Sequence, residues 1–204
     1  MFCMVHCRLL VYNDSYKLMI GGEILTDTLS IKYSPKNEYK EVGYHKTLYI
    51  YVNSIKKNGF KPSNAEDDWL GFGVYFWDNI ENAKWWNVGN NSIIKNCIIE
   101  CELKCDMDQY INLNNEMEMD KLNSFCEQYM REIRKNKLPR PNFKNNNQRK
   151  KFFCDLYCKK NNLLILSFIF EHDIINKAGF KIGAKERRQI CVRDPKLIQI
   201  LSIN

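Results

Sequence analysis

The stretch Trp69–Asn79, WLGFGVYFWDN, sets two glycines, Gly71 and Gly73, just ahead of a run of aromatic residues. A ring beside a permissive turn can hold a flat ligand by stacking. If the ligand is cationic, attraction to the ring face adds about 0.5 to 2 kcal/mol. The same pattern suits a hairpin edge packed into a core. Few other groups able to do chemistry stand out. There are three histidines (His6, His45 and His172) and nine cysteines. Cys97, Cys101 and Cys105 invite a zinc reading, yet four-residue steps on a strand spread them over about 26 Å, too far for one tetrahedral site. Cys154 and Cys158 can share a helix face, but no CxxC pair accompanies them. The cysteines read as small buried hydrophobes, and no metal is expected.

Periodicity gives the elements that must position these residues. From Tyr44, YHKTLYIYVNSIKKNGFKPS is a short polar start and a helix-length stretch closed by Gly59 and Pro62, with Leu48, Tyr51 and Ile55 on one face. NIENAKWW predicts a short helix capped by Asp78 or Asn79. In NCIIECELKCDMD, Cys97, Ile99, Cys101, Leu103 and Cys105 alternate with Glu100, Glu102 and Lys104, as in a half-buried strand. Leu122, Phe125, Cys126, Tyr129 and Ile133 recur at helical spacing over Glu116–Lys135, and a second helix fits QRKKFFCDLYCKK. Strands are predicted at Leu163–Phe170, Arg188–Arg193 and Leu197–Ile203, the second preceded by a Gly-containing polar loop. The opening segment to about Lys40, with Gly21, Gly22 and Pro35, reads as short strands or a hairpin. The sum is an α+β domain whose strands come from both halves of the chain.

At 204 residues the chain suits one sizeable core and is read as a single domain over residues 1–204. With 45% hydrophobic and 27% charged residues it has the composition of a soluble globular protein. No apolar run reaches membrane-spanning length, and the first residues lack a signal-peptide pattern. A cytoplasmic protein with reduced thiols and no membrane partner is therefore expected. The net charge of +7 is unevenly spread: residues 134–151, RKNKLPRPNFKNNNQRKK, carry eight Lys or Arg and no acid. Such a block reads as a solvated basic loop or insertion, or as a contact for nucleic acid or an acidic partner.

Three separated pieces then combine. YHKT (Tyr44–Thr47) leads to a helix ending in GF (Gly59, Phe60). LGFGVYFWDNIENAKWW supplies G-x-Y-F, with Ala83 in the following helix. RRQICVRDP sets Gln189 just before an apolar run. In order and spacing, over about residues 42 to 200, these resemble the ADP-ribosyltransferases of the PARP and diphtheria-toxin type, whose signature is His, Tyr and a third polar residue. Among them the chain looks most like small bacterial PARP-like proteins with toxin–antitoxin or phage-defence roles. The resemblance implies split antiparallel β-sheets with flanking helices around an NAD cleft. It also implies an enzyme that uses NAD+ as co-substrate, releases nicotinamide and passes ADP-ribose to a macromolecule.

By that resemblance Tyr75 stacks on the nicotinamide, with Trp85 as the second ring and Trp86 as the alternative. His45 hydrogen-bonds a ribose hydroxyl, Gly73 lets the backbone turn beside the ligand, and Thr47 orients the same wall. The residue after His45 holds the nicotinamide amide through its backbone. It is usually glycine, and here it is Lys46. Gln189 takes the third signature place, where chain-building members carry glutamate. A glutamine can bind ribose and aim its dipole at a developing cation, but it carries no full charge and is no general base near neutral pH. Transfer of a single ADP-ribose is therefore expected. Glu171, with Glu186 nearby, is the carboxylate that could activate an acceptor, and Arg188 and Lys185 could hold phosphates. The basic excess leans the acceptor toward nucleic acid, RNA especially, over protein. An NAD+ glycohydrolase and a non-catalytic NAD- or ADP-ribose-binding module are the other readings, and a toxin would require an antitoxin partner or tight control.

Overall fold

The computed structural model describes residues 8–12, 15–20, 23–24, 37–66, 68–86, 95–175 and 177–204. The chain falls into two compact units, Met1–Lys36 and Asn37–Asn204, and the motif-bearing stretch expected over residues 42 to 200 lies within the second. In the first unit, β1 (Arg8–Tyr12), β2 (Ser15–Ile20) and β3 (Glu23–Ile24) pair antiparallel in that order, as short strands. His6, Gly21, Gly22 and Pro35 lie outside the described residues.

The second unit runs β4 (Glu38–Leu48), α1 (Val52–Asn58), β5 (Val74–Trp77), α2 (Ile80–Trp85), β6 (Asn96–Asp106), β7 (Tyr110–Asn112), α3 (Glu116–Lys135), α4 (Asn146–Asn161), β8 (Ile165–Ile175), β9 (Lys181–Val192) and β10 (Ile198–Ile203). Its seven strands lie in the order β10-β6-β4-β5-β9-β8-β7, antiparallel except for the parallel β7–β8 pair. The fold is α+β with a mixed sheet. In place of two fully separate antiparallel sheets, one sheet is nearly divided. β4 pairs with β6 along its whole length but with β5 only at Tyr44–Trp77.

Local chemistry accounts for the elements and for where they depart from expectation. Cys97, Ile99, Cys101, Leu103 and Cys105 of β6 are all buried, and burial pushes the thiols of Cys101 and Cys105 up to about 12 and about 11, so they pack as hydrophobes. Asn79 caps α2, its side chain accepting from Asn82 N. Ahead of α1, Tyr49–Tyr51 forms a 3-10 turn, whose tighter winding shifts the helical phase. Val52 and Ile55 are therefore the buried pair, while Tyr51 is exposed.

Of the basic stretch expected as one loop over residues 134–151, the eight residues at its two ends are helical. Arg134 and Lys135 end α3, and Asn145 caps α4 through Gln148 N, so only residues 136–145 connect them. The predicted loop before the Gln189 strand is a hairpin: β8 runs on to Ile175 and β9 returns from Lys181, turning near Gly179 at φ +87°.

One sheet face packs on α1 through Val52, Ile55, Phe76, Ile99, Leu103 and Ile190. The other carries α3 and α4 through Leu122, Cys154, Tyr157 and Cys158, and α2 through Ala83 against Trp77. Among the described residues no helix is long and apolar enough to cross a membrane. Where β5 ends, β9 reaches β4 directly. Arg188 Nη1 meets Glu41 Oε1 at 2.5 Å, and its Nη2 donates to Tyr110 Oη at 2.9 Å and Ser167 Oγ at 3.2 Å. Removing the carboxylate would leave a largely buried guanidinium short of its acceptor. Glu41→Ala should therefore cost about 1 to 3 kcal/mol in urea unfolding. An unchanged midpoint would contradict a tie across the sheet at this point.

Candidate functional site

The sheet opens beyond the Tyr44–Trp77 pair, and hydrogen-bond directions show what faces the opening. Ile98, opposite Lys46 on β6, exchanges both backbone bonds with Asn204, so it bonds nothing of Lys46. Opposed residues of an antiparallel ladder bond each other or both face outward, so the N–H and C=O of Lys46 face away from β6. On the other side, Asp78 N donates to Arg188 O and Gly73 exchanges both bonds with Ser63. Period two then turns the backbone of Gly73, Tyr75 and Trp77 toward β4. Trp77 is answered by Tyr44, Tyr75 O by the His45 ring, and Gly73 by Ser63. No strand partner answers Lys46 among the described residues.

A cleft of about 530 Å³ occupies this opening. His45, Lys46, Gly73, Tyr75 and Gln189, separated widely in the chain, all line it. His45 Nδ1 lies 2.8 Å from Tyr75 O. A carbonyl only accepts, so Nδ1 carries the proton and Nε2 is left as the acceptor. The ring also packs edge-on against Phe60 at 5.1 Å. Burial lowers its pKa below the usual 6.5, keeping it neutral.

Lys46 answers the question its side chain raises. Nζ donates to Lys84 O at 2.9 Å and to Trp86 O at 2.5 Å, the free carbonyls at the end of α2, where a cation is favoured. Burial lowers its pKa as well.

Tyr75 is fixed by its hydroxyl, which donates to Gly71 O at 2.7 Å, and burial raises the phenol pKa. Gly71 sits at φ +96° and is gripped by α4: Asp155 Oδ1 accepts from Phe72 N at 2.8 Å and from Arg193 at 2.8 Å. A Cβ on Gly73 would lie 2.5 Å from Cys191 Sγ. These glycines serve close packing against the protein itself, and that packing aims Tyr75. Gln189 is 8% exposed, and its Oε1 is buried without a hydrogen-bond partner among the described residues. An orphaned acceptor at a cleft wall is a group waiting for a donor.

Five expected site residues stand elsewhere. Thr47 is buried and off the cleft wall. Trp85 faces Arg187, whose guanidinium lies 3.7 Å from the ring centre, and His172 at 4.6 Å. The ring that lines the cleft is Trp86, tilted on Trp77 at 5.8 Å. Glu171 is exposed in register with Glu186, and strand alternation turns it to the face opposite Phe170 of the cleft. Arg188 is committed to Glu41 on that same opposite face, and Lys185 lies off the cleft wall.

The cleft also holds Lys61, Ser63, Asp68, Trp69, Trp77 and Phe170, none of which was singled out from the sequence as a site residue. Asp68 already accepts from Ser63 Oγ and Ala65 N, both at 2.6 Å. Buried Asn82 joins α2 to β9 by accepting from Arg187 Nη1 at 2.7 Å. Only the polarity of Asn82 inside an otherwise apolar helix face hinted at this. Among the described residues no group of three or more His, Cys, Asp or Glu side chains could hold a metal.

The lowered His45 pKa has a signed consequence. The unfolded chain takes up a proton near pH 6.5 that the buried ring refuses. The stability held above about pH 6.5 is therefore lost as pH falls below it. His45→Gln should flatten the loss of urea stability between about pH 6.5 and pH 5. In the unaltered protein, NMR should show an Nδ1-protonated neutral ring at pH 7, and a ring titrating at the ordinary value would contradict this environment. The chain matches no protein-family model and no curated protein.

Proposed function

We propose that the chain is an NAD+-dependent mono-ADP-ribosyltransferase, toxin-like, acting on a macromolecular acceptor. One observation carries this reading: the free backbone edge of Lys46 opens into the same cleft as His45, Tyr75 and the orphaned Oε1 of Gln189. A paired N–H and C=O on a strand edge match a primary carboxamide, whose oxygen accepts and whose NH2 donates. Tyr75 and Trp86 supply faces for the flat, cationic pyridinium beside that amide. Nε2 of the neutral His45 accepts from a ribose hydroxyl, and Lys61 is the cation on the wall for the diphosphate.

The chemistry NAD+ supplies is cleavage of its ribose–nicotinamide bond. The bonding electrons leave with neutral nicotinamide, the acceptor's nucleophile bonds to the anomeric carbon, and the acceptor's proton passes to solvent. Positive charge builds at that carbon in the transition state. Gln189 stabilises it with an oriented dipole from a water-poor wall, a weaker device than a carboxylate. Asp68 is the one carboxylate on the cleft wall among the described residues, and it is already bonded. Gln189 carries no full charge and is no general base near neutral pH, which supports transfer of a single ADP-ribose.

Incubation with adenylate-labelled NAD+ plus RNA, DNA or protein should release nicotinamide and label one polymer. Gln189→Ala should lower release by about 100-fold or more, the scale of losing one preorganised dipole. Tyr75→Ala should weaken NAD+ binding by about 2- to 30-fold, and Tyr75→Phe by less. Release without a labelled polymer would make the protein a glycohydrolase, and saturable binding without release a non-catalytic module. The absence of both binding and release would overturn the reading. Growth arrest by the unaltered protein but not by Gln189→Ala is the readout of the toxin-like role, for which an antitoxin partner is part of the same proposal.

A further inference from the structure

Beside the cleft lies an apolar pocket of about 310 Å³ between α3, α4 and β8, walled by Leu70, Leu113, Met119, Leu122, Phe153 and Phe168. Trp69 lines both spaces. It stands edge-on to Phe168 of the pocket at 5.0 Å and to Phe170 of the cleft at 5.7 Å. Two exposed cations, Arg149 and Lys150, also line the pocket, and Lys150 Nζ lies 5.2 Å over the Trp69 ring. The start of α4 is fastened along the cleft wall: Lys144 pairs with Glu66 at 3.2 Å, and Lys151 Nζ donates to Asn64 Oδ1 at 2.8 Å. The end of the basic stretch, from Lys144 to Lys151, is thereby tied to the loop that carries Ser63, Ala65 and Asp68 of the cleft wall.

We propose that this pocket takes one unstacked base of a single-stranded nucleic acid, with its phosphates along Arg149, Lys150 and the neighbouring basic residues. This rests on the NAD+ reading of the cleft and makes that strand the acceptor. The pocket is a slot with aromatic and aliphatic walls, and cations stand at its mouth. A base has flat apolar faces and a polar edge, which Asn123 on the pocket wall can meet, and it is carried on a chain of anions, so it satisfies both features at once. An acidic peptide would meet the cations and leave the apolar walls unfilled. A base still stacked in a duplex cannot enter without being flipped out, which favours a single strand.

The test uses short fluorescein-labelled RNA and DNA strands of mixed sequence, each with a fully abasic counterpart, titrated by anisotropy against the whole chain. An intact strand of one sugar or the other should bind about 5- to 150-fold more tightly than its abasic counterpart, the span given by stacking one base. Met119→Trp, which fills the pocket from a half-buried position, should bring that ratio toward one. Arg149→Ala and Lys150→Ala should weaken intact and abasic strands alike and reduce the salt slope by about 0.7 for each cation. Equal binding of intact and abasic strands, or equal competition by polyglutamate, would overturn the proposal. Saturable NAD+ binding in the absence of any strand reports on the cleft alone. Its loss with the base preference intact strikes the cleft reading and supports the pocket, and its retention without a base preference strikes the pocket.

Discussion

Between β4 and β5 runs a single backbone pair, Tyr44 with Trp77, and the site exists because the pairing stops there. A continuous ladder would have closed over the edge of Lys46 and left no cleft. Strands this close leave polar groups that must be answered, and each is met by a different device. The His45 ring takes Tyr75 O, the Ser63 backbone takes both groups of Gly73, and the Arg188–Glu41 pair spans the far end where β5 has run out. The sheet is thus held together at one end and open at the other. Packing on both faces, α1 beneath and α2 with α3 and α4 above, keeps the opening from collapsing.

Lys46 shows how a side chain can occupy a place where glycine would be simpler. Its backbone stays in the β4–β6 ladder, where any residue is tolerated, and its side chain folds onto the end of α2. Holding the carbonyls of Lys84 and Trp86 anchors a helix of only six residues and sets Trp86 at the cleft. The Lys46 side chain therefore contributes to positioning the Trp86 ring at the cleft. Arg187, also buried, secures the other side of α2 through Asn82 while stacking on Trp85. Two cations from two strands fix one short helix.

Much of the fold could be read in advance where a single periodicity governed the residues. The alternation in β6 and the helical spacing in α3 are properties of one segment, and both segments form as their patterns demand. The reading failed where partners distant in the chain decide. Residues 171–187 carry no apolar stripe, yet they pair as hairpin arms because each strand supplies the other's hydrogen bonds. α4 itself forms over the predicted QRKKFFCDLYCKK, its start moved two residues earlier by the Asn145 cap. Within the site, the motif residues His45, Tyr75 and Gln189 converge on one cleft. The choice between Trp85 and Trp86 depended on which ring faces the buried Arg187, and the face occupied by Glu171 depended on strand parity. Neither is visible to a motif.

The central claim is that the backbone of Lys46 holds a primary carboxamide in the cleft. It is tested most directly by following the Lys46 amide in nitrogen–proton NMR spectra as nicotinamide is added, and then nicotinate, whose carboxylate cannot donate. The account expects the Lys46 signal to move with nicotinamide, together with side-chain signals of Tyr75 and Trp86, and to respond far less to nicotinate. A Lys46 amide that stays still while other cleft signals shift, or that answers both ligands equally, would contradict it.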